Sequence, residues 1–261
     1  MSTILDKIID YKRAEVFERK EKHSVKELAK SEYFQDTCFS LTDFLLDDTK
    51  TGIIAEFKRK SPSKGVINDK VRVEEVTQAY SKHGASALSI LTDTPSFGGT
   101  TDDLLTARNV NDIPILRKDF IIDSYQIVEA RSMGADIILL IAACLTPNET
   151  FKLAQFAWEL GLEVLLEVHD RDELIHCNEY VNVVGVNNRN LKDFSVDINR
   201  SVELAEHIDE AFLKVSESGI HSIDHIKMLK NAGFNGFLIG ENFMKETDPG
   251  KAFEEFVNKL K

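Results

Sequence analysis

The segment that decides the fold is Gly52–Ser63, which reads GIIAEFKRKSPS. Its apolar, largely β-branched start predicts a strand, in which successive side chains point to opposite faces. The odd-numbered positions from Ile53 to Phe57 therefore form one wholly apolar face, as expected where helices cover a sheet. Glu56 and Lys58 share the other face at the end of the strand. Taken alone, this pair is also typical of a solvated surface ion pair, which contributes little to stability.

Strand-like and helix-like segments alternate after this strand to the end of the chain. Seven further apolar runs follow, at 87–91, 113–116, 137–143, 164–166, 181–186, 212–215 and 237–239. Helical stretches lie between and after them, at 71–83, 101–109, 124–133, 147–160, 170–179, 199–207, 223–231 and 250–261. Eight such units predict an α/β fold, a single (β/α)8 TIM barrel. No Gly-x-Gly-x-x-Gly follows any strand, which disfavours a doubly wound dinucleotide-binding sheet.

A helical extension precedes the first strand. Residues 3–30 are predicted to form two helices, because Ile4 and Ile8 belong to an apolar stripe opposite a charged face. No linker or compositional break separates the extension from the barrel. We therefore predict one domain over the whole chain, with the extension at 1–48 and the barrel core at 49–261.

Composition limits the possible ligands and cellular locations. The 44 acidic and 32 basic residues give a net charge of -12, which argues against nucleic-acid and membrane partners. An anionic ligand must then be held by locally placed cations. The chain lacks a signal-like start and any apolar run of about 18 residues, so we expect a cytoplasmic protein. Its three cysteines lack C-x-x-C spacing, which indicates neither a disulfide framework nor a zinc site.

Charged side chains recur at the ends of the odd-numbered strands. In a barrel the C-terminal strand ends build the site, and alternate strands supply the same interior layer. By strand parity Lys118, Glu167 and Glu217 face inward on the third, fifth and seventh strands. Glu56 and Lys58 do so on the first. Four odd strands that end alike favour a functional ring, whose members would shift one another's pKa values as acid–base catalysis requires.

Glycine-containing loops follow the last two strands, at Ser216–Gly219 and Ile239–Glu241. Phosphate sites of this fold commonly use these loops, although glycine also simply makes turns. Asn187 and Arg189 lie at the end of the sixth strand. The acidic Glu241 fits beside a phosphate if its backbone N–H donates and its side chain points away.

An aromatic slot is a second candidate feature of the mouth. Phe97 and Phe120 are placed in loops at the top of the second and third units, and Leu139 lies on the fourth strand, where core packing explains it equally well. His169 and Asp170 follow the fifth strand, and Asp170 is interpreted as a helix N-cap rather than as a catalytic triad partner.

Six motifs resemble the indole-3-glycerol phosphate synthase family along almost the whole chain. They begin at Ala55, Leu116, Leu166, Gly185, Ser216 and Leu238, and read AEFKRKSPS, LRKDF, LEVH, GVNNRNL, SESGI and LIGE. The resemblance implies an enzyme of tryptophan biosynthesis, a carboxy-lyase. It would convert 1-(2-carboxyphenylamino)-1-deoxy-D-ribulose 5-phosphate to indole-3-glycerol phosphate, CO2 and water. It implies no metal, no organic cofactor and no obligate protein partner.

The resemblance also implies catalytic roles. Lys118 would be the general acid that protonates the ketone oxygen, and Glu167 the base of the dehydration. Lys58 would be an acid or electrostatic partner, and Glu56 would orient the lysines. A desolvated lysine near another cation has a lowered pKa, whereas opposing carboxylates raise it, and the residues leave this balance open.

The remaining site residues are assigned by the same resemblance. Asn187 and Glu217 would hold the substrate hydroxyls and the reacting skeleton. The phosphate end of the substrate would be bound by Ser61, Arg189, Ser218, Gly219, Gly240 and Glu241. The anthranilate ring would lie between Phe97, Phe120 and Leu139.

Two alternatives stay open from the residues. One is another phosphate-binding barrel such as phosphoribosylanthranilate isomerase, whose Cys/Asp pair has no counterpart in Glu56 and Lys58. The other is a non-catalytic barrel that binds a phosphate ligand, which the paired acid and base disfavour.

We also predict that the loop at Ser61–Gly65 is a lid that moves on substrate binding, since Pro62 holds Ser61 extended and the following residues are flexible.

Overall fold

Eight parallel strands form a closed barrel in the computed structural model, which describes residues 3–191 and 193–260. The barrel strands are numbered in chain order: β1 Ile53–Phe57, β2 Ala87–Leu91, β3 Ile115–Lys118, β4 Ile137–Ile141, β5 Glu163–Val168, β6 Val183–Asn187, β7 Leu213–Glu217 and β8 Gly236–Ile239. Each pairs with the next, and β8 closes the ring on β1 with Leu238 opposite Ile54. The predicted (β/α)8 fold is confirmed.

Strand parity places the side chains as the sequence predicts. Ile53, Ala55 and Phe57 are buried in the layer between strands and helices. Ile54 belongs to a separate apolar cluster inside the barrel, together with Leu116, Leu165 and Val215 from the other odd-numbered strands. The inward faces therefore change from apolar residues in the barrel to charged ones at its C-terminal mouth.

Three α-helices make up most of the extension: α1 Ile4–Lys22, α2 Val25–Leu28 and α3 Leu41–Leu46. The side chain of Thr3 caps α1 by accepting the N–H of Asp6, and Ser24 caps α2 in the same way through Glu27. A 3-10 turn at Glu32–Phe34 and an irregular segment then lead the chain beneath the barrel.

Nine α-helices follow in the barrel portion of the described chain: α4 Val73–Lys82, α5 Thr94–Phe97, α6 Thr101–Asn109, α7 Ser124–Ser132, α8 Pro147–Glu159, α9 Asn199–Ala205, α10 Ile223–Asn231, α11 Glu241–Met244 and α12 Pro249–Asn258. A second 3-10 turn, Ala142–Cys144, follows β4. Met1 and Lys261, at the ends of the predicted domain, lie outside the described residues. No helix in the described ranges is long and apolar enough to cross a membrane.

The helix predicted over 170–179 is wrong. Only a 3-10 turn, Asp172–His176, forms after β5. The Asp170 carboxylate accepts the N–H groups of Asp172 and Glu173, and Glu173 in turn accepts the N–H of His169. Because side chains satisfy these backbone donors within one turn, they offer the chain an alternative to a regular helix.

Helix α3 closes the N-terminal end of the barrel. Leu41 is fully buried and Leu45 nearly so, and both belong to the same apolar cluster as the barrel interior. A Cβ on Gly236 would lie 2.9 Å from Leu45, so the glycine at the start of β8 makes room for this contact. The extension thus completes the barrel core.

Candidate active site

One cavity at the C-terminal mouth contains all fifteen residues that the sequence predicted for the site. They converge there because parallel strands present their C-terminal ends at the same side of a barrel. The catalytic roles assigned to them stay predictions. The cavity also includes residues from α1 and from the loops after β1, β6 and β7.

The first-strand pair lies inside the mouth rather than on the surface. The Lys58 ammonium contacts Glu56 Oε1 at 2.5 Å, and Glu56 is almost completely buried. Gly240 at the end of β8 lies against this carboxylate, since a Cβ there would come 2.5 Å from Glu56 Oε1. Gly240 therefore gives Glu56 its space, in addition to lining the cavity.

Lys118 bridges two carboxylates on the floor of the mouth. Its Nζ lies 3.0 Å from Glu167 Oε2 and 2.7 Å from Glu217 Oε2. Burial alone would lower the pKa of Lys118, but Glu217, Glu167 and Glu56 raise it above its ordinary value. The carboxylates therefore decide the balance that the sequence left open, and Lys118 is an ammonium ion at neutral pH.

The two carboxylates on Lys118 have different surroundings. Glu167 Oε1 accepts a hydrogen bond of 3.0 Å from Asn187 and lies 3.5 Å from His169 Nε2. Burial would raise the pKa of Glu167, but Lys118 and His169 lower it. Oε1 of Glu217 is buried and has no hydrogen-bond partner among the described residues. Burial and the neighbouring Glu167 raise the pKa of Glu217 despite Lys118.

Gly185 on β6 is a site residue that the sequence reasoning missed as such. A Cβ there would lie 2.4 Å from Glu217 Oε1 and 2.8 Å from Leu165. Only a glycine leaves the Glu217 carboxylate in place beneath Lys118. A glycine within an otherwise apolar strand was the available signal, because such a glycine often marks a close approach.

The loop after β7 has strained backbone at the predicted phosphate end of the cavity. Ser218 and Gly219 both have left-handed conformations, with φ of 68° and 77°. For Ser218 this costs about 1–3 kcal/mol, and such strain clusters at functional sites. The side chain of Asn188, donating to the Ser218 carbonyl at 3.1 Å, helps to hold the loop.

Arg189 and Glu241 contact each other across this end of the cavity. The Arg189 guanidinium lies 3.5 Å from Glu241 Oε2 and donates to Ser63 Oγ at 3.4 Å. Lys64 approaches Glu241 Oε1 at 3.8 Å. The Glu241 side chain therefore points toward these cations. Ser61, at the start of the same loop, is nearly buried.

The three residues of the predicted aromatic slot come from three successive βα units. The rings of Phe97 and Phe120 lie 6.1 Å apart at an angle of 36°, and Leu139 is nearby in the cavity wall. Phe97 ends helix α5 rather than lying in a loop, because Asp93 caps the start of this short helix and Gly98 ends it. Ile4 and Ile8 of α1 also line the cavity, which gives their apolar stripe a role the sequence did not reveal.

A buried ion cluster joins α1 to the mouth. Lys12 is fully buried, with its Nζ 3.0 Å from Asp93 and 2.8 Å from Asp119. Arg117 adds a second contact to Asp119 at 3.1 Å. Asp119 also accepts the N–H of Phe120 at 2.8 Å, and it directly follows Lys118. The cluster thus holds in place the segment that contains Lys118, the candidate acid, and Phe120 of the aromatic slot.

Comparison with solved structures agrees with the fold. A mutant tryptophan synthase α-subunit from Pyrococcus furiosus superposes with a TM-score of 0.62 at 15% identity, covering 81% of this chain and 98% of that one. Thiamine phosphate pyrophosphorylase from the same organism gives a TM-score of 0.59 at 18% identity, covering 85% and 99%. At these identities the likeness shows the barrel fold alone.

Sequence comparison is more specific. The family model described as indole-3-glycerol phosphate synthase matches residues 5–256. Proteins named indole-3-glycerol phosphate synthase are similar over nearly their full lengths. The one from Bacteroides thetaiotaomicron is 46% identical over all of both chains. The one from Polynucleobacter asymbioticus is 42% identical, covering 98% of this chain and 99% of its own. The chain therefore belongs to the indole-3-glycerol phosphate synthase family.

Proposed function

We propose that this protein closes 1-(2-carboxyphenylamino)-1-deoxy-D-ribulose 5-phosphate to indole-3-glycerol phosphate, with loss of CO2 and water, in tryptophan biosynthesis. Family membership supports the reaction. The observation that best supports the mechanism is the Lys118 ammonium held between Glu167 and Glu217 at the floor of the mouth. A ring closure followed by a dehydration requires an acid and a base that both reach the same substrate.

Lys118 acts in the first step. The ring carbon that bears the carboxylate attacks the ketone carbon, a C–C bond forms, and negative charge develops on the ketone oxygen. The ammonium stabilises this charge more in the transition state than in the ground state. An alkoxide is more basic than an amine, so the proton moves from Lys118 to the oxygen as the bond forms.

Glu167 and Lys58 act after the carboxylate leaves. The C–C bond to the carboxylate breaks, CO2 departs, and the electron pair restores the aromatic ring. The new hydroxyl then leaves as water with a proton from Lys58. Glu167 removes the proton whose loss completes the indole double bond. Glu56 orients Lys58 through the 2.5 Å contact, while Asn187 and Glu217 hold the hydroxyls and the reacting skeleton.

The two ends of the cavity fit the two ends of this substrate. Arg189, Lys64 and the backbone of Ser218 and Gly219 supply the cation and donors that a phosphate requires. Binding would replace the Glu241 carboxylate as the partner of Arg189. Ser61 and Gly240 border the same end.

At the opposite end, Phe97, Phe120 and Leu139 offer apolar faces to the anthranilate ring. Ile4 and Ile8 of α1 line the same cavity. A small phosphorylated anion is therefore the ligand we assign to the cavity. The cytoplasmic location and the lack of an obligate protein partner stay predictions from the sequence.

The test is incubation of the purified protein with the carboxyphenylamino-deoxyribulose phosphate while indole absorbance is recorded. We expect indole-3-glycerol phosphate and one equivalent of CO2. No indole at any pH would overturn the proposal. Turnover of phosphoribosylanthranilate instead would indicate the isomerase activity, and tight binding without any turnover would indicate a binding protein.

A further inference from the structure

His169 lies directly behind the candidate base and has no role in the reaction proposed above. Its ring is between two carboxylates, with Nε2 3.5 Å from Glu167 Oε1 and Nδ1 3.4 Å from Glu173 Oε2. The His169 side chain is only 11% exposed. Glu173 also accepts the backbone N–H of His169 at 2.6 Å, which fixes the carboxylate beside the ring.

Because of the His169 ring, the two carboxylates that contact Lys118 have different electrostatic surroundings. Lys118 contacts Glu167 and Glu217 at similar distances, 3.0 and 2.7 Å, so Lys118 alone does not determine which of them stays ionised. Two buried carboxylates this close to one another disfavour double ionisation. His169 contacts only one of them.

We propose that His169 is a positioning residue whose imidazolium keeps Glu167, rather than Glu217, as the ionised carboxylate of the pair that shares Lys118. The inference rests on the proposed role of Glu167 as the base. Glu217 is then the member that carries a proton more readily, which fits its buried, unpartnered Oε1. When the environments of two neighbouring carboxylates differ in this way, one stays ionised and the other is more readily protonated, and the two have different roles in catalysis.

Asn187 also favours the ionised form of Glu167 through its hydrogen bond of 3.0 Å, but this amide carries no charge. The titratable groups that face Glu167 and His169 are Lys118 of β3, Cys144 after β4, Glu173 after β5 and Glu217 of β7. Burial raises the pKa of the Cys144 thiol, so it is neutral at physiological pH. Burial lowers the pKa of His169, but Glu173 and Glu167 together raise it above 6.5, which favours the imidazolium.

The first experiment compares His169→Gln with the wild-type enzyme. Removing the cation raises the pKa of Glu167, so the acid limb of the kcat–pH profile should move to higher pH by about 1 unit. An infrared titration of the carboxyl groups should show the same shift without relying on turnover. His207→Gln, at an exposed position, is the matched control and should leave both curves unchanged.

A folded, active His169→Gln enzyme with an unshifted acid limb and unshifted carboxyl titration would overturn the inference. A wild-type protein that forms no indole would overturn the proposed function instead, and the infrared titration would still be readable. Glu173→Gln provides a second arm that keeps the ring in place. Its His169 imidazole, followed by NMR, should titrate at lower pH than in the wild type, and an unchanged midpoint would also overturn the inference.

Discussion

The contacts of Lys118 determine its pKa and when it can give up its proton. Its flanking carboxylates, Glu167 and Glu217, raise its pKa, so the free enzyme holds the proton firmly. The proton becomes transferable only when an oxygen more basic than the amine forms beside it. Catalysis by this residue is therefore tied to the transition state of ring closure rather than to substrate binding.

Replacing Lys118 by alanine should lower kcat by about two to four orders of magnitude, the scale expected for loss of a positioned acid. Substrate should still bind, because the phosphate and anthranilate contacts remain. Steady-state kinetics with an independent binding titration would measure both. Lys82→Ala, at an exposed position on α4, is the control. Near-normal turnover of the Lys118 variant would remove this lysine from the mechanism.

Gly185→Ala should reduce kcat by about 10²-fold, the cost of a displacement on the order of 1 Å in an active site. The added methyl would displace the Glu217 carboxylate, which lies 2.4 Å from its position. Gly161→Ala is a suitable control, because its Cβ meets nothing within 4 Å, although its φ of 75° costs stability. Equal kcat values in the two variants would contradict this reading of Gly185.

Helix α1 is the element that links the extension to the chemistry. It places Lys12 against Asp93 and Asp119, and its Ile4 and Ile8 line the cavity. Burial would raise the pKa of Asp119, but Lys12 and Arg117 lower it below the ordinary 3.8. The cluster therefore contributes stability above pH 3.8 that is lost as the pH falls through the lowered pKa.

Lys12→Met should lower the free energy of unfolding by about 3–5 kcal/mol, because it removes the cation from the buried Asp93 and leaves the buried Asp119 with Arg117 alone. Urea unfolding at neutral pH would measure this loss. Lys7→Met, on the exposed face of the same helix, should change stability little. In acid, the difference in the free energy of unfolding between the Lys12 variant and the wild type should become smaller as Asp119 becomes protonated. A constant difference down to the acid transition would contradict this assignment.

The loop after β1 is the second functional element. A short antiparallel ribbon pairs Lys60–Ser61 with Gly65–Val66, and Ser63 and Lys64 reach toward Arg189 and Glu241. We predict that a substrate analogue with a phosphate group slows hydrogen exchange of the amides at 61–66, because the phosphate would join these cations. Amides of α3, at the opposite, N-terminal end of the barrel, serve as the internal reference. Equal protection of the loop with and without the analogue would count against a lid.

Over the whole molecule, the extension and the barrel share one apolar interior. Leu41 and Leu45 lie in the same cluster as Ile54 and Leu165. We propose that residues 1–48 and 49–261 unfold together as a single domain.

Leu41→Ala should therefore destabilise the entire protein by about 2–5 kcal/mol, as large-to-small core changes do. Calorimetry should show one transition that moves to lower temperature. Leu46→Ala, on the same helix but 58% exposed, should move it little. A separate low-temperature transition for the Leu41 variant would show instead that the extension is an independent unit.

The sequence by itself determined the barrel fold and which residues lie at its C-terminal mouth. Side-chain alternation in strands is local, so the parity of Ile54, Glu56 and Lys58 could be read without knowing any neighbour. The same logic placed Lys118 and Glu167 inward. The helix prediction at 170–179 was wrong, because Asp170 and Glu173 satisfy backbone donors there with their side chains.

Only the tertiary structure decided which groups touch. Lys118 meets Glu167 and Glu217 across 49 and 99 residues of sequence, and these contacts determine its pKa. The space that Gly185 leaves for Glu217 and the docking of α1 through Lys12 depend equally on distant segments. Strand parity gives the direction of a side chain but not its partners, because partners are set by barrel closure and by helix docking, which act between residues far apart in the chain.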